Sequence, residues 1–134
     1  MVNVPFTSFE HSGYTFDTNV IIYYLKGDER AVATVENILD NAPIYVSTMT
    51  ELELFSSPHS TPEHLHIIES LLAVVSIIPV ESRIARLAGS LRAQSSLKSP
   101  DAAIAATALF TGTTLVTRNV KDFKRVPQLS VQPL

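Results

Sequence analysis

The chain contains no cysteine. A disulfide framework and a thiolate metal site are both excluded, and the composition is compatible with a reducing compartment. Only four glycines occur, and none is spaced as a phosphate-binding loop, which disfavours a nucleotide-binding fold. Charged residues are scarce at 17% while apolar residues reach 46%, a balance that argues against disorder and supplies one sizeable core. Long apolar runs are also missing. The longest nearly apolar stretch, residues 71–80, is interrupted by Ser76 and falls far short of the roughly 20 residues that a membrane span requires. The first fifteen residues carry Glu10 and His11, with no basic stretch ahead of an apolar one, so a secretory signal is not expected. The expected location is the cytoplasm, with no membrane partner. Internal repeats and low-complexity segments are absent too, and 134 residues fit one domain.

Charge is present but unevenly placed. The net value of −3 argues against nucleic acid on its face. Residues 1–80, however, hold ten acids against Lys26 and Arg30, a net of −8. Residues 81–134 hold eight Lys and Arg against Glu81, Asp101 and Asp122, a net of +5. An acidic metal site facing a basic phosphate-binding rim produces such a division, as does chance patterning of a solvated surface.

Periodicity orders the chain into alternating elements. Residues 1–13 read as an irregular N-terminal arm and 14–134 as a single domain. A short strand over 14–16 ends at Asp17, and an apolar helical turn over 20–25 is stopped by Gly27. Helical spacing resumes over 30–39 through Val32, Val35, Ile38 and Leu39. A strand over 44–46 follows, then a helix capped by Thr48 or Thr50, and another with Pro62 at its first position reaching 72. The β-branched run 74–78 predicts a buried strand. Helices over 81–93 and 99–110, a strand over 113–116 and a last short strand over 129–131 complete the pattern. Strands separated by helices predict an α/β fold: three α/β/α layers with a mainly parallel central sheet of four to five strands. In such sheets ligands bind beyond the carboxyl ends of the strands.

Acids occupy those ends. Asp17 directly follows the first strand, where an ordinary role is helix N-capping. Glu51 and Glu53 follow the second; two residues apart on a helix, at most one faces the site. Asp101 opens an alanine-rich helix, where interaction with the helix dipole is its ordinary use. Thr117, Arg118 and Asn119 follow the fourth strand, with Asp122 just beyond. Together they are an oxygen-donor set of the kind that Mg²⁺ or Mn²⁺ prefers.

Four segments in order carry a resemblance: Phe16-Asp17-Thr18-Asn19-Val20-Ile21-Ile22, Ser47-x-x-Thr50-x-x-Glu53-Leu54, Ser99-Pro100-Asp101-Ala102-Ala103-Ile104-Ala105-Ala106-Thr107-Ala108, and Leu115-Val116-Thr117-Arg118-Asn119-Val120-Lys121-Asp122-Phe123. From about residue 14 onward the chain resembles the PIN-domain ribonucleases, most closely the VapC-type toxins of toxin–antitoxin pairs. The resemblance implies a PIN fold with Asp17, Glu53 and Asp101 as metal ligands, Glu53 being preferred to Glu51 because it keeps the motif's spacing. Many relatives place an Asp where Asn119 stands, so Asp122 is the candidate to complete the catalytic set. The arm before the first strand is a second departure, readable as a mis-assigned start or a dimer contact.

The implied activity is metal-dependent endoribonuclease chemistry, with Mg²⁺ or Mn²⁺ assisting water in an in-line attack on phosphorus. Thr18, Asn19, Thr117 and Asn119 are expected to orient waters or carboxylates. Arg118, Lys121, Lys124 and Arg125 are expected to hold phosphates of a tRNA, rRNA or mRNA substrate. The resemblance further implies a small antitoxin that inserts into the active-site groove, and a homodimer, with the first helix and the helix over 62–72 as candidate interfaces. None of the four histidines is expected to be a ligand. Competing readings are a receiver-like signalling domain, disfavoured because Asp17 stands alone after its strand, and a catalytically weak PIN-like RNA-binding or scaffold protein.

Overall fold

The computed structural model describes residues 13–134. The elements run β1 (Tyr14–Phe16), α1 (Thr18–Leu25), α2 (Glu29–Asn41), β2 (Ile44–Ser47), α3 (Thr48–Leu54), α4 (Pro62–Leu72), β3 (Ser76–Ile78), α5 (Ser82–Ser95), α6 (Ser99–Thr111), β4 (Thr114–Thr117), α7 (Val120–Phe123) and β5 (Val131–Pro133). The sheet has five strands in the order β3-β2-β1-β4-β5, and every pairing is parallel. Of the arm expected over 1–13, all but Gly13 lies outside the described residues.

Parallel strands joined by helices need both sheet faces covered, and neighbouring residues on β4 show this. Leu115 packs with Ile84, Ile104 and Phe123 on the α5–α6 face. Val116, one residue on, packs with Phe16, Val20 and Val35 on the α1–α2–α4 face. The period of two places consecutive side chains in opposite cores. Gly13 leads the chain into β1 at φ +137°; a Cβ there would stand 2.5 Å from the Pro43 carbonyl oxygen, so no larger residue fits without a shift.

Helix starts follow local chemistry. Asp28 caps α2 by accepting from the Ala31 N–H at 3.0 Å. Thr61 caps α4 ahead of Pro62, accepting from the His64 N–H. The cap of α3 is Ser47, which accepts from the Met49 N–H, rather than Thr48 or Thr50. Those threonines are used elsewhere: Thr48 Oγ1 accepts from the Val80 N–H and Thr50 is buried.

The run 74–78 departs from the expected buried strand. Only Ser76–Ile78 pairs, at the sheet edge, and Val74 is 65% exposed. Its N–H donates to the Leu71 carbonyl in the turn that ends α4, so Val74 is spent on that turn. An edge strand also has one neighbour and covers little. At the other edge, β5 pairs from Val131 to Pro133 instead of over 129–131, and the short α7 lies where no helix was expected.

Helix α6 is unlike the others. Every residue from Ala102 to Ala108 is buried, because the helix is wedged between α5 and the sheet. Alanine allows close approach on all sides, and Thr107 satisfies its hydroxyl by donating to the Ala103 carbonyl at 2.8 Å. Gly112, at φ +65°, ends it in the left-handed conformation. The chain starts centrally at β1, proceeds to β2 and β3 on one side, then returns to β4 and β5 on the other. Strand order therefore reverses between β1 and β4, and the crevice beyond their carboxyl ends is where this architecture seats ligands.

Candidate active site

Asp17 stands at that reversal. It occupies the N-cap position of α1, yet its side chain makes no capping hydrogen bond. Instead its Oδ2 accepts from Thr117 Oγ1 at 2.7 Å, across the β1–β4 junction. The ordinary explanation for an Asp here is thereby removed. Only 4% of Asp17 is exposed. Burial, followed by the negative charges of Asp101 and Glu53, pushes its pKa up to about 6 against the opposing hydrogen bond from Thr117.

Glu53 reaches the same crevice from α3. Thr18 Oγ1 donates to its Oε1 at 2.5 Å and contacts Thr50 Oγ1 at 2.9 Å. The Ser-x-x-Thr-x-x-Glu spacing thus acquires a physical meaning: Ser47 starts the helix, Thr50 supports Thr18, and Glu53 is held by Thr18. Asp101 arrives from the first turn of α6. Burial and the charges of Glu53 and Asp122 raise its pKa, while Lys98 opposes the rise. Asp17, Glu53 and Asp101 are therefore one electrostatically coupled group.

Asp122 lies beside this group with its oxygens already engaged. Asn119 Nδ2 donates to Oδ2 at 2.9 Å, and Arg125 pairs with Oδ1 at 3.3 Å. Asn119 is itself fixed, since its N–H donates to Thr117 Oγ1 at 2.9 Å. A cavity of about 270 Å³ opens here, lined by Lys98, Asp101, Asn119, Asp122 and Arg125 among others. Lys98 was not among the residues singled out in the sequence. Its signal was positional: it is the N-cap of the helix that carries Asp101.

The remaining candidates are scattered around the rim. Lys121 and Lys124 are exposed. Asn19 is exposed as well, although it follows Thr18 directly. Arg118 turns away from the carboxylates: it pairs with Asp28 at 2.6 Å and stacks on the Tyr23 ring at 3.8 Å. Phe123 is fully buried in the core.

The donor chemistry suits a hard cation. Asp17, Glu53 and Asp101 offer only oxygen, and the ion pairs among the described residues, Arg118–Asp28 and Arg125–Asp122, include none of them. A nearly buried carboxylate with two acidic neighbours and only neutral hydrogen-bond donors, the Thr117 hydroxyl and the Thr18 backbone, has a charge that the chain does not neutralise. As the side chains stand, no three or more acidic or imidazole groups among the described residues form a ready metal-binding set. Magnesium keeps several waters and takes one or two carboxylates directly, a requirement that this arrangement meets.

Comparison with known proteins matches a PIN domain over residues 14–129. Ribonuclease VapC1 of Haemophilus influenzae (strain R2866) is 30% identical over 128 residues, covering 89% of this chain and 96% of that protein. A toxin–antitoxin complex from Klebsiella pneumoniae contains a chain of similar structure, with TM-score 0.75, 30% identity, and coverage of 87% of this chain and 95% of that one. VapBC-1 from nontypeable Haemophilus influenzae gives TM-score 0.74 and 29% identity, covering 90% and 96%.

Proposed function

The chain belongs to the PIN-domain family, in its VapC-type branch, and on that premise we propose that it is a metal-dependent endoribonuclease, the toxin of a toxin–antitoxin pair. The single observation that carries the reading is Asp17: buried, uncapped, held by Thr117, and coupled to Asp101 and Glu53 without a cationic partner.

Asp17, Glu53 and Asp101 would hold Mg²⁺ or Mn²⁺. Such an ion, when bound, supplies charge neutralisation and activation of water toward a phosphodiester. The chain's own groups do the positioning. Thr117 fixes the Asp17 carboxylate across the strand junction, and Thr18 fixes that of Glu53. Asn119 orients Asp122, which borders Asp101 and completes the acidic wall. Lys121, Lys124 and Arg125 lie along the adjoining rim and counter the substrate's phosphates. Glu51 has no counterpart to the Thr18–Glu53 bond and is left outside the set.

An antitoxin would seat in the apolar groove of about 230 Å³ between α1 and α4, lined by Ile22, Leu25, Leu54, His64 and Ile68, with Glu53 in its wall. A partner lying there reaches the acidic cluster directly. An antitoxin as partner draws support from the two similar chains, one found in a toxin–antitoxin complex and the other in VapBC-1; the seat rests on the groove alone. Self-association through the exposed parts of the same helices is proposed alongside it.

The test is cleavage of a mixed tRNA and rRNA pool by purified protein with Mg²⁺, with Mn²⁺ and with chelator, beside the Asp17→Asn, Asp101→Asn double variant. Cutting that requires the ion and is absent from the variant supports the nuclease. No cutting by folded, partner-free, metal-loaded protein transfers the reading to an RNA-binding or scaffold role.

A further inference from the structure

We propose that Arg118 is a positioning residue which, by pairing with Asp28 and stacking on Tyr23, clamps the α1–α2 turn to the carboxyl end of β4 and so keeps Asp17 in register. The proposal rests on the nuclease reading and redirects one of the cations that the sequence offered as a phosphate binder.

The geometry connects three segments. Arg118 immediately follows Thr117, whose hydroxyl donates to Asp17 and accepts from the Asn119 N–H. From that point its side chain crosses to α1, where the guanidinium carbon lies 3.8 Å from the centre of the Tyr23 ring. The same guanidinium meets Asp28 at 2.6 Å. Asp28 is anchored in turn, because one oxygen also accepts from the Ala31 N–H as the cap of α2. Asp17 and Thr18 lie at one end of α1, and Tyr23 lies near the other. The clamp therefore ties the far end of α1 to the strand that fixes its near end. Thr117 is held a third way, since its carbonyl accepts from the Leu134 N–H at 3.0 Å.

Arginine suits this use better than lysine. Its planar fork stacks on a ring and meets a carboxylate at once, which an ammonium cannot do. The surroundings also disfavour a phosphate seat. The open groove beside Arg118 is lined by Asp28 and Glu29 as well as Arg30 and Arg118, with Leu134, so it has no excess of positive charge to draw a phosphate in. With one Nη on Asp28 and its face on Tyr23, the guanidinium has only its remaining N–H groups to offer RNA.

The two roles predict opposite results for Asp28→Asn, which keeps the capping group but removes the charge. Under the clamp, Arg118→Ala and Asp28→Asn each lower kcat about tenfold with KM nearly unchanged, as expected when reacting groups drift from alignment. The double variant is no worse than either single, and Arg118→Lys is intermediate. Binding of labelled single-stranded RNA in chelator keeps its affinity and its salt dependence. A phosphate-binding Arg118 instead gives a raised KM, a salt slope smaller by about one for Arg118→Ala, and tighter RNA binding for Asp28→Asn. Any of those three results, or an unchanged kcat in both single variants, overturns the proposal.

Amide hydrogen exchange keeps the two readings separable. If the wild-type chain cuts no RNA, the nuclease reading fails while the clamp is still judged by exchange at residues 117–119. Faster exchange there in both single variants supports the clamp, and unchanged protection overturns it.

Discussion

Two sets of carboxylates lie at the carboxyl end of the sheet and are treated in opposite ways. On the rim, Asp28 is paired with Arg118 and Asp122 with Arg125. In the interior, Asp17 and Glu53 have threonine hydroxyls as hydrogen-bond partners, and Asp101 is opposed by acids with only Lys98 to offset them. The pKa directions follow suit. Asp28 is lowered by the Ala31 N–H and Arg118, whereas Asp17 and Asp101 are raised, first by burial and then by acidic neighbours: Asp101 and Glu53 for Asp17, Glu53 and Asp122 for Asp101. The chain has cations in the vicinity and places them outside the cluster. On the proposed reading, a divalent cation would supply the charge that this interior lacks.

The sharpest break of this contrast is Asp101→Asn. It retains shape but removes one interior charge, and cleavage should fall about a thousandfold or more, ~4 kcal/mol of barrier. Circular dichroism should be unchanged; full activity with bound metal would sink the assignment. The same substitution relieves repulsion, so the ion-free variant should melt no lower than the wild type.

Next in size is the cost of ionising Asp17. Its folded pKa of about 6 lies above the ordinary 3.8, so between about pH 4 and 6 the folded chain holds a proton that the unfolded chain has released. Stability from this group is complete below pH ~4 and is lost as pH rises through 6, a difference of about 3 kcal/mol. Thermal melts without divalent ion should therefore fall by roughly 10 °C between pH 4 and 7 relative to Asp17→Asn. Adding Mn²⁺ at pH 7 should recover much of that loss, and it should matter less at pH 5, where protons compete for the ligands.

Thr117→Val is expected to cost less. It leaves the buried Asp17 oxygen without its donor, a penalty of about 2 kcal/mol, and cleavage should drop by about ten- to a hundredfold. Differential scanning calorimetry and single-turnover kinetics check the two figures separately. On the rim, Arg125→Ala should change stability by about 0.5 kcal/mol or less, since exposed pairs contribute little. Its effect should appear as a severalfold loss of RNA affinity that fades at high salt.

The sequence made much of the interior legible and little of the rim. Asp17 stands out because a parallel sheet seats ligands at strand ends and it directly follows the first strand; Asp101 follows a helix, and it is the opening of the alanine-rich helix that singles it out. Glu53 needed the motif's spacing to separate it from Glu51; the reason for that spacing, the Thr18 and Thr50 hydroxyls, joins residues more than thirty positions apart and could not be read locally. The Arg118–Asp28 pair spans ninety positions, and nothing in either neighbourhood announces it. The run at 74–78 misled for the opposite reason. β-branched residues carry a preference for strands, but they do not say whether a strand is central or at an edge, and one of them was needed for a turn. Asn119 and Asp122, by contrast, are three residues apart, and their bond was within reach of a local argument.

Helix α6 has one further consequence, for how this chain can vary. A helix covered on one side tolerates change with a rhythm of 3.6 residues, sensitive positions alternating with permissive ones. From Ala102 to Ala108 no side faces water. Saturation mutagenesis should find seven consecutive positions that refuse added volume, each enlargement costing about 1–3 kcal/mol, with no helical beat in the tolerance profile. The element that delivers Asp101 is thus among the least free to drift, and any descendant that keeps the chemistry inherits its narrowness as well.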